Sequence, residues 1–221
     1  MARVTYRFLY VLLVPLIRIY WRIRVRGREN IPRNTGLIIA SNHWSGVDPI
    51  MVCSSFWRPV HWLAKVELVV TKSIAWFFRM AAVIPVNRDA PQQESIDKAS
   101  AVLRRGGIFG IYPEGTRSVD GKLHKGYTGV ARIAAQSDAP VIPTAVMGTR
   151  ESVPKGKKVP RPVGVEVRFG PPLLFAMQPG EDDKVAYRRF TNEIMHAIAK
   201  LSGQEYVDEY NRRRKTDPHD E

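Results

Sequence analysis

Cysteine is almost missing from this chain: Cys53 is the only one among 221 residues. One thiol excludes an intrachain disulfide and a cysteine-only zinc site, and it suits a reducing compartment. The N-terminal apolar run is short. Phe8 to Ile17 reads FLYVLLVPLI, about half of the ~20 residues that a membrane-crossing helix needs. The stretch behind it, RIYWRIRVRG, has no small-residue cleavage site, which argues against a secretory signal. No internal repeat or low-complexity segment is present. Acid is scarce as well. Asp and Glu number 21 against 34 Lys and Arg, leaving a net charge of +13 and a pI near 10.1.

What is present is ordinary for a folded domain: 44% hydrophobic and 25% charged residues suffice for one core. The positive excess implies an anionic partner, whether nucleic acid, anionic membrane or phosphorylated substrate. Residues 1–35 carry Arg3, Arg7, Arg18, Arg22, Arg24, Arg26, Arg28 and Arg33 against Glu29 alone. These arginines border an apolar run, so the segment reads as an amphipathic helix in a membrane interface, its arginines reaching lipid phosphates. The competing reading is a helix packed on the core. Charge alone would point to nucleic acid, and no nucleic-acid partner is expected.

Short apolar runs alternate with helical patterns along the rest of the chain. Strands are expected at RIRVRG, at GLIIAS (36–41), at 60–64, 83–86, 108–112, 141–147 and 164–169. Helices are expected at 49–56, 73–82, 92–105, 129–136 and 182–201. The last has an apolar stripe at Val185, Phe190, Ile194, Ile198 and Leu201. Residues 148–162 form a basic loop, and the chain from Asn211 onward is expected to fray. The alternation predicts an α/β fold, a mixed central sheet flanked by helices, with the membrane-associating helix in front.

Two constellations carry chemistry. The first is Asn42-His43-Trp44-Ser45-Gly46-Val47-Asp48. A histidine takes a proton from a hydroxyl at neutral pH, and a carboxylate on its other ring nitrogen fixes the tautomer. Five steps along a regular helix turn the chain by about 500°, which parts the two side chains. They meet only if His43 sits in a turn, and Asn42, Ser45 and Gly46 are turn formers. Asp48-Pro49 also reads as a helix N-cap followed by proline, a structural role compatible with holding His43.

The second is Tyr112-Pro113-Glu114-Gly115-Thr116-Arg117-Ser118, at the carboxyl end of a strand, where α/β folds place ligands. Gly115 lets the backbone approach a ligand, Thr116 adds a hydroxyl, and Arg117 offers a fork for phosphate. A capped turn with a surface arginine is the plain alternative. Lys65 and Arg88 close two other strands, and Lys122 and Lys125 follow the turn; each is also readable as a solvated charge. Together, cations around a His-Asp pair describe a site for a phosphorylated acceptor with a free hydroxyl.

NHWSGVD (42–48), IPVNR (84–88), PEGTRS (113–118) and VIPTAV (141–146) resemble, in order and spacing, the four signatures of the glycerolipid acyltransferases. The resemblance runs from about Gly27 to Gly148 and is strongest to the branch acting on 1-acylglycerol 3-phosphate. It implies that His43 is the general base and Asp48 orients it. Asn42, Arg88, Glu114, Gly115, Thr116 and Arg117 would bind substrate, with Arg88 and the 114–117 turn on the acceptor phosphate. Lys65 and Lys125 would assist, and Pro143 would shape the acyl-donor side. The donor would be acyl-CoA or acyl-carrier protein, with no cofactor and no metal. Partners would be membrane lipids and lysophosphatidate or a related acceptor; glycerol 3-phosphate, another lysophospholipid or a glycolipid stay open as acceptors, as does a non-catalytic membrane-binding protein. The expected place is peripheral or monotopic on the cytoplasmic face of the cell membrane. The chain then divides into an interfacial helix and basic segment (1–24), an acyltransferase domain (25–205) and a charged tail (206–221). Residues 68–70 and 74–84, with Trp76, Phe77 and Phe78, read as an acyl groove or as ordinary core. His124 stands where the resemblance implies an apolar or aromatic residue.

Overall fold

The computed structural model describes residues 2–65, 83–86, 92–152 and 160–211. The apolar run after Gly36 forms β2 (Leu37–Ser41), buried along its whole length. Leu37, Ile38 and Ile39 are fully buried, and each contributes roughly 1.5–3 kcal/mol. A strand buried on both faces needs cover on both sides. β2 lies at the middle of a seven-stranded sheet that also contains β1 (Arg24–Arg26), β3 (Val60–Lys65), β4 (Ile84–Val86), β5 (Ile108–Ile111), β7 (Val141–Met147) and β8 (Glu166–Phe169). The order is β1-β8-β7-β2-β5-β3-β4. Neighbours are parallel except β7 and β8, so the sheet is mixed, as expected.

The period of two sorts the sheet residues onto two layers. Ile38, Ala40, Phe109 and Val141 face α3 (Gln92–Arg104), α4 (Gly129–Ser137) and α6 (Asp183–Ser202). Leu37, Ile39, Ile108 and Ile142 face Met51 and Val52 of α2 (Asp48–Cys53), with Trp21 and Phe56. α6 begins at Asp182, whose carboxylate accepts the Lys184 N–H at 2.8 Å, and stops at Gly203 in the left-handed region. Its buried stripe is Ala186, Phe190, Ile194 and Ile198. Val185, expected in that stripe, points outward at 58% exposure. α2 is shorter than expected, because the Ser54 and Ser55 hydroxyls both bond the Met51 carbonyl and compete with helix propagation.

At the chain's end, Tyr206–Val207 (β9), within the expected tail, pairs with Leu123–His124 (β6); residues 212–221 lie outside the described residues. At the front, α1 (Ala2–Tyr20) is partly packed. Tyr10 Oη and Arg18 donate to the Ser54 carbonyl at 3.1 and 2.9 Å, and buried Trp21 donates at 2.7 Å to Ser152 Oγ of α5 (Thr149–Ser152). Its other side leaves Val11, Leu12, Leu16 and Ile19 exposed, Ile19 at 74%. Among the described residues no helix is long and apolar enough to cross a membrane. The expected helix at 73–82, and the expected acyl groove at 68–70 and 74–84 except for its last two residues, fall outside the described residues.

Candidate active site

β2 ends at Ser41, and the turn that follows carries His43. Its Nδ1 lies 2.9 Å from Asp48 Oδ2. The same oxygen accepts the backbone N–H of Trp44 at 2.7 Å and of Ser45 at 2.8 Å. Asp48 is fully buried, and its Oδ1 has no partner among the described residues. The capping expectation therefore changes. Asp48 is the first residue of α2, Val47 stands at the cap without a side-chain bond, and one carboxylate oxygen both shapes the turn and holds the ring. That oxygen only accepts, so we assign the proton to Nδ1, which leaves Nε2 as the basic nitrogen. The His43 side chain keeps 17% exposure.

The ring is fixed from below as well. Tyr112, at the end of β5, stacks on His43 with centroids 3.9 Å apart and planes 12° apart. Trp62 of β3 stacks on Tyr112 at 4.7 Å. Tyr112 opens the second constellation, but the motif reading gave it no role of its own. Its phenol pKa is pushed well up, first by burial and then by the nearby Asp48 charge.

The second constellation folds onto the first. The Gly115 N–H closes a turn on the Tyr112 carbonyl at 3.0 Å, and Gly115 adopts φ 71°. A side chain there would meet the Tyr127 ring at 3.1 Å. Glu114 is fully buried. Its Oε1 accepts the His43 N–H at 3.3 Å and its Oε2 the His124 N–H at 3.1 Å. Burial pushes its carboxyl from 4.5 up to about 7, against the opposing pull of those two N–H groups. Ser118 N–H donates to the His43 carbonyl at 2.7 Å. The turn thus grips His43 at both its N–H and its carbonyl. Arg117 and Thr116 lie half-buried in this turn.

Other expected site residues lie elsewhere. Asn42 is fully buried, and its amide is spent inside the protein. Its Oδ1 takes the Val146 N–H at 2.8 Å, and its Nδ2 gives to the Val146 carbonyl and to Gln204 Oε1. It joins the ends of β2 and β7. Pro143 sits buried in β7 beside Ala40, with Gly170 donating to its carbonyl. The ladder pairs Thr144 with Phe169 but Val141 with Leu173, which inserts one extra residue opposite Pro143. That bulge accommodates a residue without an N–H in a central strand. Its neighbour Ala40 belongs to the α6 layer, on the opposite face from the Tyr112–Trp62 stack. Lys125 pairs with Asp208 at 3.1 Å. His124 places Nε2 3.1 Å from the Asp120 carboxylate. Lys65 ends β3 with its side chain outside the described residues, and Arg88 lies wholly outside them.

The arrangement is a carboxylate-oriented imidazole on a parallel strand's carboxyl end, with a glycine turn and an arginine beside it. Such a site suits proton removal from a hydroxyl next to an anionic group. The chain belongs to the Acyltransferase family, whose model matches residues 22–147. It is 30% identical over 193 residues to the 1-acyl-sn-glycerol-3-phosphate acyltransferase of Bacillus subtilis, covering 85% of this chain and 94% of that one. It is 31% identical over 142 residues to the chloroplastic 1-acyl-sn-glycerol-3-phosphate acyltransferase LPAT1 of Arabidopsis thaliana, covering 63% of this chain. This chain spans about 40% of the length of LPAT1, and 41% of its Brassica napus counterpart BAT2. The fold matches the crystal structure of the 1-acyl-sn-glycerophosphate acyltransferase PlsC from Thermotoga maritima, with a TM-score of 0.64 at 24% identity, over 88% of this chain and 82% of that one.

Proposed function

We propose that the protein transfers a fatty acyl group from an acyl thioester to the free hydroxyl of 1-acylglycerol 3-phosphate, making phosphatidate. The observation that carries this reading is the 2.9 Å contact from His43 Nδ1 to buried Asp48, which leaves Nε2 as the base. Nε2 takes the hydroxyl proton as the oxygen attacks the thioester carbonyl. The tetrahedral intermediate collapses, the C–S bond breaks, and the thiolate leaves with the proton from His43. Asp48 stabilises the imidazolium that forms between these steps. Arg117, with the Glu114–Thr116 turn that carries it, and Arg88 bind the acceptor phosphate; Lys65 assists. The donor is acyl-CoA or acyl-carrier protein, and the reaction needs no cofactor.

The same reading puts the protein on the cytoplasmic face of the cell membrane. The exposed Val11, Leu12, Leu16 and Ile19 of α1, followed by Arg22, Arg24 and Arg26, match a helix lying in an anionic lipid interface.

The test is thiol release from acyl-CoA and from acyl-carrier protein with a panel of acceptors: 1-acylglycerol 3-phosphate, glycerol 3-phosphate, another lysophospholipid and a glycolipid. The largest kcat/KM is expected with 1-acylglycerol 3-phosphate. His43→Ala is expected to lose about 10²–10⁴-fold in kcat while keeping its binding to anionic liposomes. A His43→Ala enzyme as fast as the parent would refute the mechanism, and another preferred acceptor would replace the substrate.

A further inference from the structure

The two halves of the site are joined by a segment far from both in sequence. Gly203, at φ 73°, turns the chain back after α6, and residues 204–211 cross the loop formed by 113–127. Gln204 stands at the first crossing. Its Oε1 accepts from Asn42 Nδ2 at 2.8 Å, and its Nε2 donates to the Gly121 carbonyl at 3.0 Å. The seam continues through Leu123 N–H to the Glu205 carbonyl at 2.9 Å and Lys125 N–H to the Glu209 carbonyl at 3.0 Å. Tyr210 stacks on Tyr127, the ring that lies against Gly115, at 4.7 Å. Arg188 of α6 donates both to Tyr210 Oη at 2.9 Å and to the Gly126 carbonyl at 2.8 Å. At the last crossing Asn211, only 8% exposed, donates to the Arg117 carbonyl at 3.1 Å.

These contacts fall on the residues next to the chemistry. Asn42 precedes His43, and the Arg117 carbonyl belongs to the same peptide group as the Ser118 N–H that holds His43. The family match ends at residue 147, so the segment lies outside it.

We propose that residues 204–211 are the positioning element of the site, with Gln204 setting the base-bearing turn and Asn211 setting Arg117. The assignment rests on the reading that His43 is the base and Arg117 meets the acceptor phosphate. The two ends of the segment then have separable kinetic effects. Gln204→Met keeps the length of the side chain and removes both of its hydrogen bonds. Asn211→Ala frees the Arg117 carbonyl.

The experiment measures kcat and KM for 1-acylglycerol 3-phosphate, with the melting temperature of each variant as control. Gln204→Met is expected to lower kcat about 10-fold with KM changed less than about two-fold. Asn211→Ala is expected to raise KM about 5–10-fold, the worth of one hydrogen bond lost at a buried site, with kcat changed less than about two-fold. If Asn211→Ala does not fold, Asn211→Asp keeps the size, removes the donor and serves instead. Equal effects on kcat and KM, or losses that track the melting temperature alone, overturn the proposal. An active parent with unaffected variants overturns the positioning role only. A parent silent on every acceptor and donor overturns the activity and the positioning role together.

Discussion

Asp48 and Glu114 stand on either side of His43, both fully buried and both accepting backbone N–H groups. Asp48 gathers its donors locally, from His43, Trp44 and Ser45, onto one oxygen. Glu114 spreads its two oxygens over residues distant in sequence, His43 and His124. The first carboxylate shapes a turn and touches the His43 ring. The second ties that turn to a loop and touches no ring nitrogen. The proposed mechanism then gives two buried carboxyls different jobs, one chemical and one architectural.

Substitutions test this division. Asp48→Asn should have the largest effect, because the amide donates where the carboxylate accepted and the tautomer reverses. A fall in kcat of about 10³–10⁴-fold is expected, read as single-turnover acyl transfer. A fall below about ten-fold would move Asp48 to the architectural side. Glu114→Gln should cost less turnover, about 10-fold, and should instead change the pH dependence of stability. The folded state holds the Glu114 proton up to about 7, against 4.5 ordinarily. Its contribution is therefore full at pH 4.5 and below, and is lost as pH rises through 7. Denaturant midpoints should decline over that window in the parent more than in Glu114→Gln. Parallel profiles would show that Glu114 does not titrate there. The smallest effect belongs to Lys125→Ala. Its partner Asp208 is well exposed, and exposed ion pairs contribute little. Unchanged melting temperature and unchanged kcat/KM are expected, and a marked rise in acceptor KM would return Lys125 to the substrate.

The sheet was largely legible in the sequence, because buried parallel strands leave apolar runs such as GLIIAS and VIPTAV. The proximity of His43 and Asp48 was legible too, since their spacing requires a turn and the intervening residues are turn formers. The contacts of Asn42 were not legible, because only the fold reveals that its amide bonds Val146 and Gln204. β6 and β9 were invisible, because two-residue strands carry no period. The Gln204 and Asn211 contacts left no signal either, for each depends on a partner about a hundred residues away or more.

That separation has a consequence for the order in which the molecule becomes competent. Chains emerge N-terminus first and fold as they emerge. The helix with the exposed apolar face is made before the strands that lead into His43 and Tyr112. Gln204 and Asn211, 162 and 94 residues from Asn42 and Arg117, are made later still. Contacts of such span are among the slowest to form, so the turn that carries His43 is expected to be fixed late in folding.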